Sequence, residues 1–161
     1  MSVKETRLPF PPKGCSQRRL TFTTDRAYPG IQGPRHWLRC SPEGRAIAFL
    51  MKDENGIVQI WTVSPNGGVP RQVTRNPWNI DSAFTWSPDG NSIAHVMDGS
   101  VCLTQVKAGL TERLTPKTSG SAGAPRPEAC VFSPDGTKVA YVRHLGEPGE
   151  GCNQVFVFHL K

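Results

Sequence analysis

The stretch Ser133-Pro134-Asp135-Gly136, followed by the run Lys138-Val139-Ala140-Tyr141-Val142, decides the fold of this chain. Two earlier stretches, Ser41-Pro42-Glu43-Gly44 and Ser87-Pro88-Asp89-Gly90, are each followed by a similar apolar run. Successive copies are 46 residues apart. A fixed period of this length is typical of proteins built from repeated structural units.

Each copy predicts a tight turn between two β-strands. Proline presets φ for the second position of the turn, and glycine closes the turn at little steric cost. β-branched and aromatic residues alternate on both sides of the turn, as they do in strands. Both faces of the following strand are apolar, for example Ala48 and Leu50 as well as Ile47 and Phe49. A sheet with two apolar faces needs a neighbour on each, so we expect the repeats to stack.

The composition fits a turn-rich all-β protein. The 161 residues include 16 glycines and 15 prolines, and 37% are apolar. The net charge is +6, but no basic block is interleaved with aromatic residues, so we expect no nucleic-acid partner. The sequence contains no apolar run long enough to span a membrane, so we expect no membrane insertion.

The N-terminal sequence and the cysteines indicate a reducing compartment. The first residues are polar and proline-rich and lack the apolar core of a signal peptide, which predicts a cytoplasmic protein. A periplasmic location is the alternative if a signal peptide precedes this chain. Five cysteines without C-x-x-C spacing predict buried thiols, neither a disulfide framework nor a zinc site.

The repeats predict three β-propeller blades of about 46 residues, each a four-stranded antiparallel meander with strands a to d. Residues 1–16 are predicted as a tail or loop, and 17–161 as a partial propeller. Blade three lacks its own strand d, whereas an extra strand of that type precedes blade one. The predicted bounds are 17–22 for the extra strand d, 34–75 for blade one, 81–116 for blade two and 127–160 for blade three.

Three blades are too few to close a ring, because typical propellers have four to eight. In one solution two chains form a homodimer, and each N-terminal strand completes the partner's third blade in a six-bladed ring. In the other, the chain is a fragment of a longer propeller. We favour the second, because the proline-rich start is typical of a loop between blades and the chain stops directly after a strand c.

The three S-P-[DE]-G turns with their [IV]-A-x-[VL] strands resemble the TolB-type, WD-like propeller repeat, as do residues 60–68 leading into 71–74. The resemblance covers roughly residues 17–160 and implies a partial or half β-propeller of TolB-like type. The repeat also occurs in peptidase propeller domains and oligogalacturonate lyases, so it implies a fold without a particular function. Residues 33–37 and 76–78 are similar to poorly characterised bacterial propeller proteins, some labelled biofilm-related. That similarity implies a C-terminal half and a biofilm-related role.

The sequence contains no G-x-S-x-G or H-E-x-x-H motif and no calcium loop. We therefore predict no catalytic residue, cofactor or metal, and expect that the chain is not an enzyme. The predicted function is a non-catalytic binding or scaffold module for a protein or glycan partner. The alternative is a part of a carbohydrate lyase or hydrolase whose site lies in the channel of the complete propeller.

Cationic, acidic and aromatic residues cluster where each strand a begins. In a propeller, strand a lines the central channel, and the loops leading into it form the mouth where ligands bind. Such a mixture suits a polar ligand such as a sugar or a peptide. The predicted ligand-binding residues are Arg35, His36, Trp37, Trp78, Asp81, Arg126 and Glu128. The alternative is that Trp37 and Trp78 cap blade interfaces and that Arg35 pairs with a neighbouring acid.

Overall fold

A computed structural model describes residues 11–34, 36–118, 123–128, 130–146 and 149–161. Within these ranges the chain forms eleven β-strands and no helix, and the strands belong to three antiparallel sheets. Nothing in the described ranges forms a helix long and apolar enough to cross a membrane. The predicted all-β fold is confirmed.

The three sheets are three consecutive blades, and strands pair in chain order within each. Blade one contains β1 (Arg39–Cys40), β2 (Ile47–Lys52), β3 (Val58–Val63) and β4 (Arg71–Gln72). Blade two contains β5 (Thr85–Trp86), β6 (Ser92–Met97), β7 (Ser100–Gln105) and β8 (Leu110–Arg113). Blade three contains β9 (Val131–Phe132), β10 (Lys138–Leu145) and β11 (Cys152–His159). β5 lies next to both β1 and β9, so the first strands form the inner side of the row of blades.

The same hydrogen-bonded turn joins the first two strands of every blade. In blade three, the Gly136 amide donates to the Ser133 carbonyl at 2.9 Å, and the φ of Gly136 is 72°. The Lys138 amide donates to Ser133 Oγ at 3.0 Å. The Asp135 carboxylate accepts hydrogen bonds from the Ser133 hydroxyl and the Thr137 amide, which lower the pKa of Asp135. This geometry confirms the turn that the proline and glycine spacing predicts.

Two apolar cores lie between neighbouring blades. In the first, Leu50 and Ile60 of blade one pack with Phe84 of blade two, and all three are fully buried. In the second, Val96 of blade two packs with Val139 of blade three. Burying a side chain of this size contributes about 1.5–3 kcal/mol, so both cores stabilise the contact between neighbouring blades.

The segment over residues 11–34 covers the remaining face of blade one. Leu20 and Ile31 pack on a cluster that includes Phe49 and Trp61. The Gln32 amide donates to the Leu50 carbonyl at 3.1 Å. Residues 17–22 do not lie in a strand in this structure. The partner predicted for them, a blade of a second chain or of a longer propeller, lies outside this chain, so their strand stays a prediction.

The outward face of blade three is apolar and exposed. Val155 pairs with Val142 as Val101 of blade two pairs with Val96. Val101 is fully buried in the core shared with blade three, whereas Val155 is 73% exposed. Blade three therefore presents, uncovered, the kind of face that blades one and two use for stacking.

His95 is the polar exception in an otherwise apolar strand position, where blades one and three have Phe49 and Tyr141. The side chain is fully buried, with Nε2 2.8 Å from Thr104 Oγ1 and with Nδ1 lacking a partner among the described residues. Burial lowers the pKa of His95 to about 4. In the unfolded chain the imidazole of His95 binds a proton below about pH 6.5. Lowering the pH from 6.5 to 4 therefore favours unfolding.

We expect His95→Phe to remove this acid sensitivity. The lowered pKa corresponds to a loss on the order of 3 kcal/mol in the free energy of unfolding as the pH falls from 6.5 to 4. Urea unfolding at both pH values measures how much of that loss disappears in the variant. His159→Phe alters an exposed histidine and should behave as the parent chain does. Equal acid sensitivity of His95→Phe and the parent would contradict the assignment.

Candidate functional site

Two of the predicted binding residues, Trp78 and Asp81, belong to one charged cluster at blade two. Both lie in the connection between β4 and β5. Asp81 Oδ2 accepts a hydrogen bond from the Asp98 amide at 3.0 Å. The Arg113 guanidinium lies 5.2 Å from the centroid of the Trp78 ring and donates to the Asp98 carboxylate. Trp78 and Asp81 are therefore joined through Asp98 and Arg113.

The turn between β6 and β7 positions this cluster. Asp98 and Gly99 have φ values of 47° and 70°, and such a pair of positive values forms the two-residue turn that matches the twist of a hairpin. Arg113, at the end of β8, donates to Asp98, and Lys117 Nζ lies 2.8 Å from Asp98 Oδ1. We call Trp78, Asp81, Asp98, Arg113 and Lys117 together the Trp78 cluster.

The two carboxylates of the Trp78 cluster have opposite pKa shifts. The hydrogen bond from Lys117, followed by that from Arg113, lowers the pKa of Asp98. Asp81 is exposed as a residue, but desolvation of its carboxylate raises its pKa, and the nearby Asp98 charge adds to the rise. Asp98 thus remains ionised and anchors both cations.

Sequence reasoning missed Asp98, Arg113 and Lys117. The Asp98-Gly99 dipeptide is typical of a hairpin turn. A turn between the second and third strands lies at the end of the blade where strand a begins, and this location is the signal that could have pointed to Asp98. Arg113 ends strand β8 and Lys117 follows it, and their spacing from Asp98 in the sequence does not indicate an ion pair.

The predicted residues of blade three form a separate pair. Arg126 Nε lies 3.8 Å from Glu128 Oε2, and both side chains are exposed. The Ala83 amide of blade two donates to the Pro127 carbonyl at 3.1 Å, so this pair adjoins the inner strand of blade two. No hydrogen bond or ion pair among the described residues joins it to Asp81.

No hydrogen bond or ion pair in the described part of the chain joins His36 or Trp37 of blade one to either group. His36 is exposed, and Trp37 is 37% exposed with the Arg39 guanidinium 5.0 Å from its ring centroid. Arg35 lies outside the described residues. Trp37 and Trp78 both keep exposed surface, so neither is enclosed in a blade interface.

The cysteines show no metal or disulfide chemistry in the described part of the chain. No group of three His, Cys, Asp or Glu side chains there is placed to hold a metal ion. Cys102 and Cys130 are buried and free, and burial raises the pKa values of their thiols to about 11 and 12. These two are the small apolar core residues that were predicted. Cys15, Cys40 and Cys152 are exposed and free, so the prediction of buried thiols is wrong for them.

Among known proteins, the chain is similar to two bacterial proteins of greater length. No family model matches it. It is 50% identical over 143 residues to the uncharacterized protein YidR of Escherichia coli K12, covering 88% of this chain and 34% of that protein. It is 40% identical over 55 residues to the uncharacterized peptidase YuxL of Bacillus subtilis 168, covering 34% of this chain and 8% of that protein. The chain therefore spans about a third of the length of YidR.

Solved structures share the arrangement of blades. An oligogalacturonate lyase in complex with manganese superposes with a TM-score of 0.62 at 15% identity, covering 84% of this chain and 38% of that one. TolB from Acinetobacter baumannii superposes with a TM-score of 0.58 at 25% identity, covering 86% of this chain and 31% of that one. A putative TolB from Agrobacterium tumefaciens superposes with a TM-score of 0.51 at 25% identity, covering 76% of this chain and 44% of that one. The chain thus has a TolB-like β-propeller fold, whereas the biofilm-related role and the C-terminal position stay predictions.

In Lys117→Ala we expect the pKa of Asp98 to rise toward the ordinary aspartate value of about 3.9, because the hydrogen bond from Lys117 is the largest cause of its lowering. An NMR titration of the side-chain carboxyl group measures this directly. Lys107→Ala removes an exposed lysine from the turn between β7 and β8 and should leave the pKa unchanged. An unchanged Asp98 pKa in Lys117→Ala would show that Lys117 does not hold this carboxylate.

Proposed function

We propose that this chain is a non-catalytic propeller module that binds a protein partner through the Trp78 cluster. The observation that supports this function is the exposed Trp78 ring, 45% accessible, with the Arg113 guanidinium over it. Tryptophan and arginine are the residue types that most often contribute the large energies at protein interfaces. An exposed pair of the two is a suitable centre for such a contact.

The Arg113 side chain is held in place before any partner arrives. Its Nη1 donates to Ser100 Oγ at 2.6 Å and to the Asp98 carbonyl at 3.1 Å, while Nη2 donates to the Asp98 carboxylate. A side chain that is already ordered loses little rotamer entropy on binding, and this saving is about 0.5–1.5 kcal/mol for a long side chain. Preorganisation therefore favours a recognition role for the pair.

Charge indicates the chemistry of the partner. Lys117 is more than half exposed beside Arg113, and the chain carries a net charge of +6. Complementary charge speeds association and suppresses wrong partners. Arg113 and Lys117 both pair with Asp98, and Asp81 lies beside it, so the Trp78 cluster presents charges of both signs. We therefore expect an interface with complementary charges of both signs around an apolar or aromatic group that covers Trp78.

Two other functions compete with this proposal. A glycan partner would stack a sugar ring on Trp78 in place of a protein side chain. The lyase alternative draws on the likeness to an oligogalacturonate lyase, which at 15% identity concerns the fold alone. Both are separable from protein binding by experiment.

The test is an affinity capture from an extract of the source organism, read by quantitative mass spectrometry. We compare the parent chain with Trp78→Ala and with Leu110→Ala, which removes an exposed apolar side chain from β8. We expect a set of proteins that the parent and Leu110→Ala retain and that Trp78→Ala retains about tenfold less.

Three results would contradict the proposal. One is protein capture that Trp78→Ala leaves unchanged. Another is Trp78-dependent binding of oligosaccharides on a glycan array in the absence of captured protein. The third is cleavage of oligogalacturonate by the chain supplied with manganese, because a non-catalytic module does not cleave it.

A further inference from the structure

A polar cleft of about 500 Å³ lies at blade one, beside the turn between β2 and β3. Arg26 comes from the N-terminal segment, Asp53 and Glu54 from the turn, and Arg75 and Asn76 from the connection after β4. A volume of this size is in the range of small-molecule sites. The cleft contains none of the residues of the Trp78 cluster.

One buried amide clamps the two walls of the cleft together. The fully buried Gln59 donates from Nε2 to Asp53 Oδ2 at 3.2 Å and to the Asn76 carbonyl at 2.7 Å. Its Oε1 accepts from the Asn76 amide at 3.2 Å and from Thr74 Oγ1 at 2.6 Å. The turn and the connection after β4 are thus held at a fixed separation.

The blade fold does not require this clamp. In blades one and two, a threonine hydroxyl accepts a hydrogen bond from a backbone amide of the third strand. Thr74 accepts from Ile60 at 2.9 Å, and Thr115 accepts from Val101 at 3.0 Å. The residue directly before the one that donates this amide is Gln59 in blade one but Ser100 in blade two. The threonine therefore belongs to the repeat, and the glutamine clamp is specific to blade one.

Two guanidinium groups in the lining lack ion-pair partners among the described residues. Arg26 donates from Nη2 to the Lys52 carbonyl at 3.1 Å and lies 4.7 Å from the Trp61 ring centroid. Arg26 Nε is buried and has no hydrogen-bond partner in the described chain. Arg75 is exposed and likewise donates no side-chain hydrogen bond to the described residues.

The carboxylates of the lining do not neutralise these cations through ion pairs. Asp53 Oδ1 already accepts from the amides of Asn55 at 2.9 Å and Ile57 at 3.0 Å, and Oδ2 accepts from Gln59. Glu54 is exposed in the turn and forms no ion pair with any described residue. Its carboxylate offers an acceptor for a hydroxyl or ammonium group of a ligand.

We infer that this cleft binds a small monocarboxylate, with Arg26 and Arg75 receiving the carboxylate group. The planar fork of a guanidinium matches the two oxygens of a carboxylate. Asp53 and Glu54 add negative charge nearby, which disfavours a dianion such as phosphate. Asn76 and Gln72 line the same cleft. Their side-chain nitrogens already donate to Thr111 Oγ1 and to the Thr74 carbonyl, so their side-chain oxygens are the acceptors offered to the polar remainder of the ligand.

The test is an NMR titration of the ¹⁵N-labelled chain with gluconate, benzoate and alanine, and separately with inorganic phosphate. We expect saturable shifts of the Asn55, Ile57 and Asn76 amides with at least one of the three carboxylates. Arg75→Ala should weaken that binding about tenfold, because it removes one of two guanidinium groups. Arg75 makes no side-chain hydrogen bond with the described residues, so this change should leave the fold intact.

Arg45→Ala is the matched control, because Arg45 is an exposed arginine beside the turn at the other end of β2. It should bind the carboxylate as the parent does. The inference is overturned if no carboxylate gives saturable shifts up to about 10 mM. It is also overturned if phosphate binds more tightly, or if Arg45→Ala weakens binding as much as Arg75→Ala.

Discussion

A β-sheet with two apolar faces is stable in water only when something covers both, and this constraint shapes the whole chain. Strand β6 shows how the chain meets it. Ile93 and Met97 point into the core shared with blade one, whereas Ala94 and Val96 point into the core shared with blade three. Successive side chains of a strand face opposite sides, so one strand contributes to two cores. Each serine–proline–acid–glycine turn then keeps the first two strands of its blade in register.

Stacking also decides where function can arise. Equivalent turns of neighbouring blades lie on the same side of the stack, at the same end of the strands. Residues that differ between repeats therefore lie near one another on a common framework. Ser100 of blade two bonds the arginine that stacks on Trp78, whereas the equivalent Gln59 of blade one clamps a cleft. The repeat therefore supplies the scaffold, and its exceptions supply the candidate sites.

The 46-residue period was sufficient to predict the blades, because turn chemistry and strand alternation are local properties. The four strands of blade one, for example, lie within its predicted bounds of 34–75. Residues 17–22 form no strand here because a strand needs a partner, and the partner predicted for them lies outside this chain. Leu20 packs on blade one. Trp78 and Asp81 were predicted as separate contributions to a mouth. Their connection through Asp98 and Arg113 depends on three-dimensional placement, which sequence spacing does not encode.

We infer that stacking of blades, more than pairing within a blade, stabilises this fold. Amide hydrogen exchange of β6 and β10 in dilute solution tests it most directly. Both are second strands paired on either side, but β6 has two covered faces and β10 has one. We expect the amides of β6 to exchange more slowly than the matching amides of β10. Equal exchange, or slower exchange in β10, would contradict the claim.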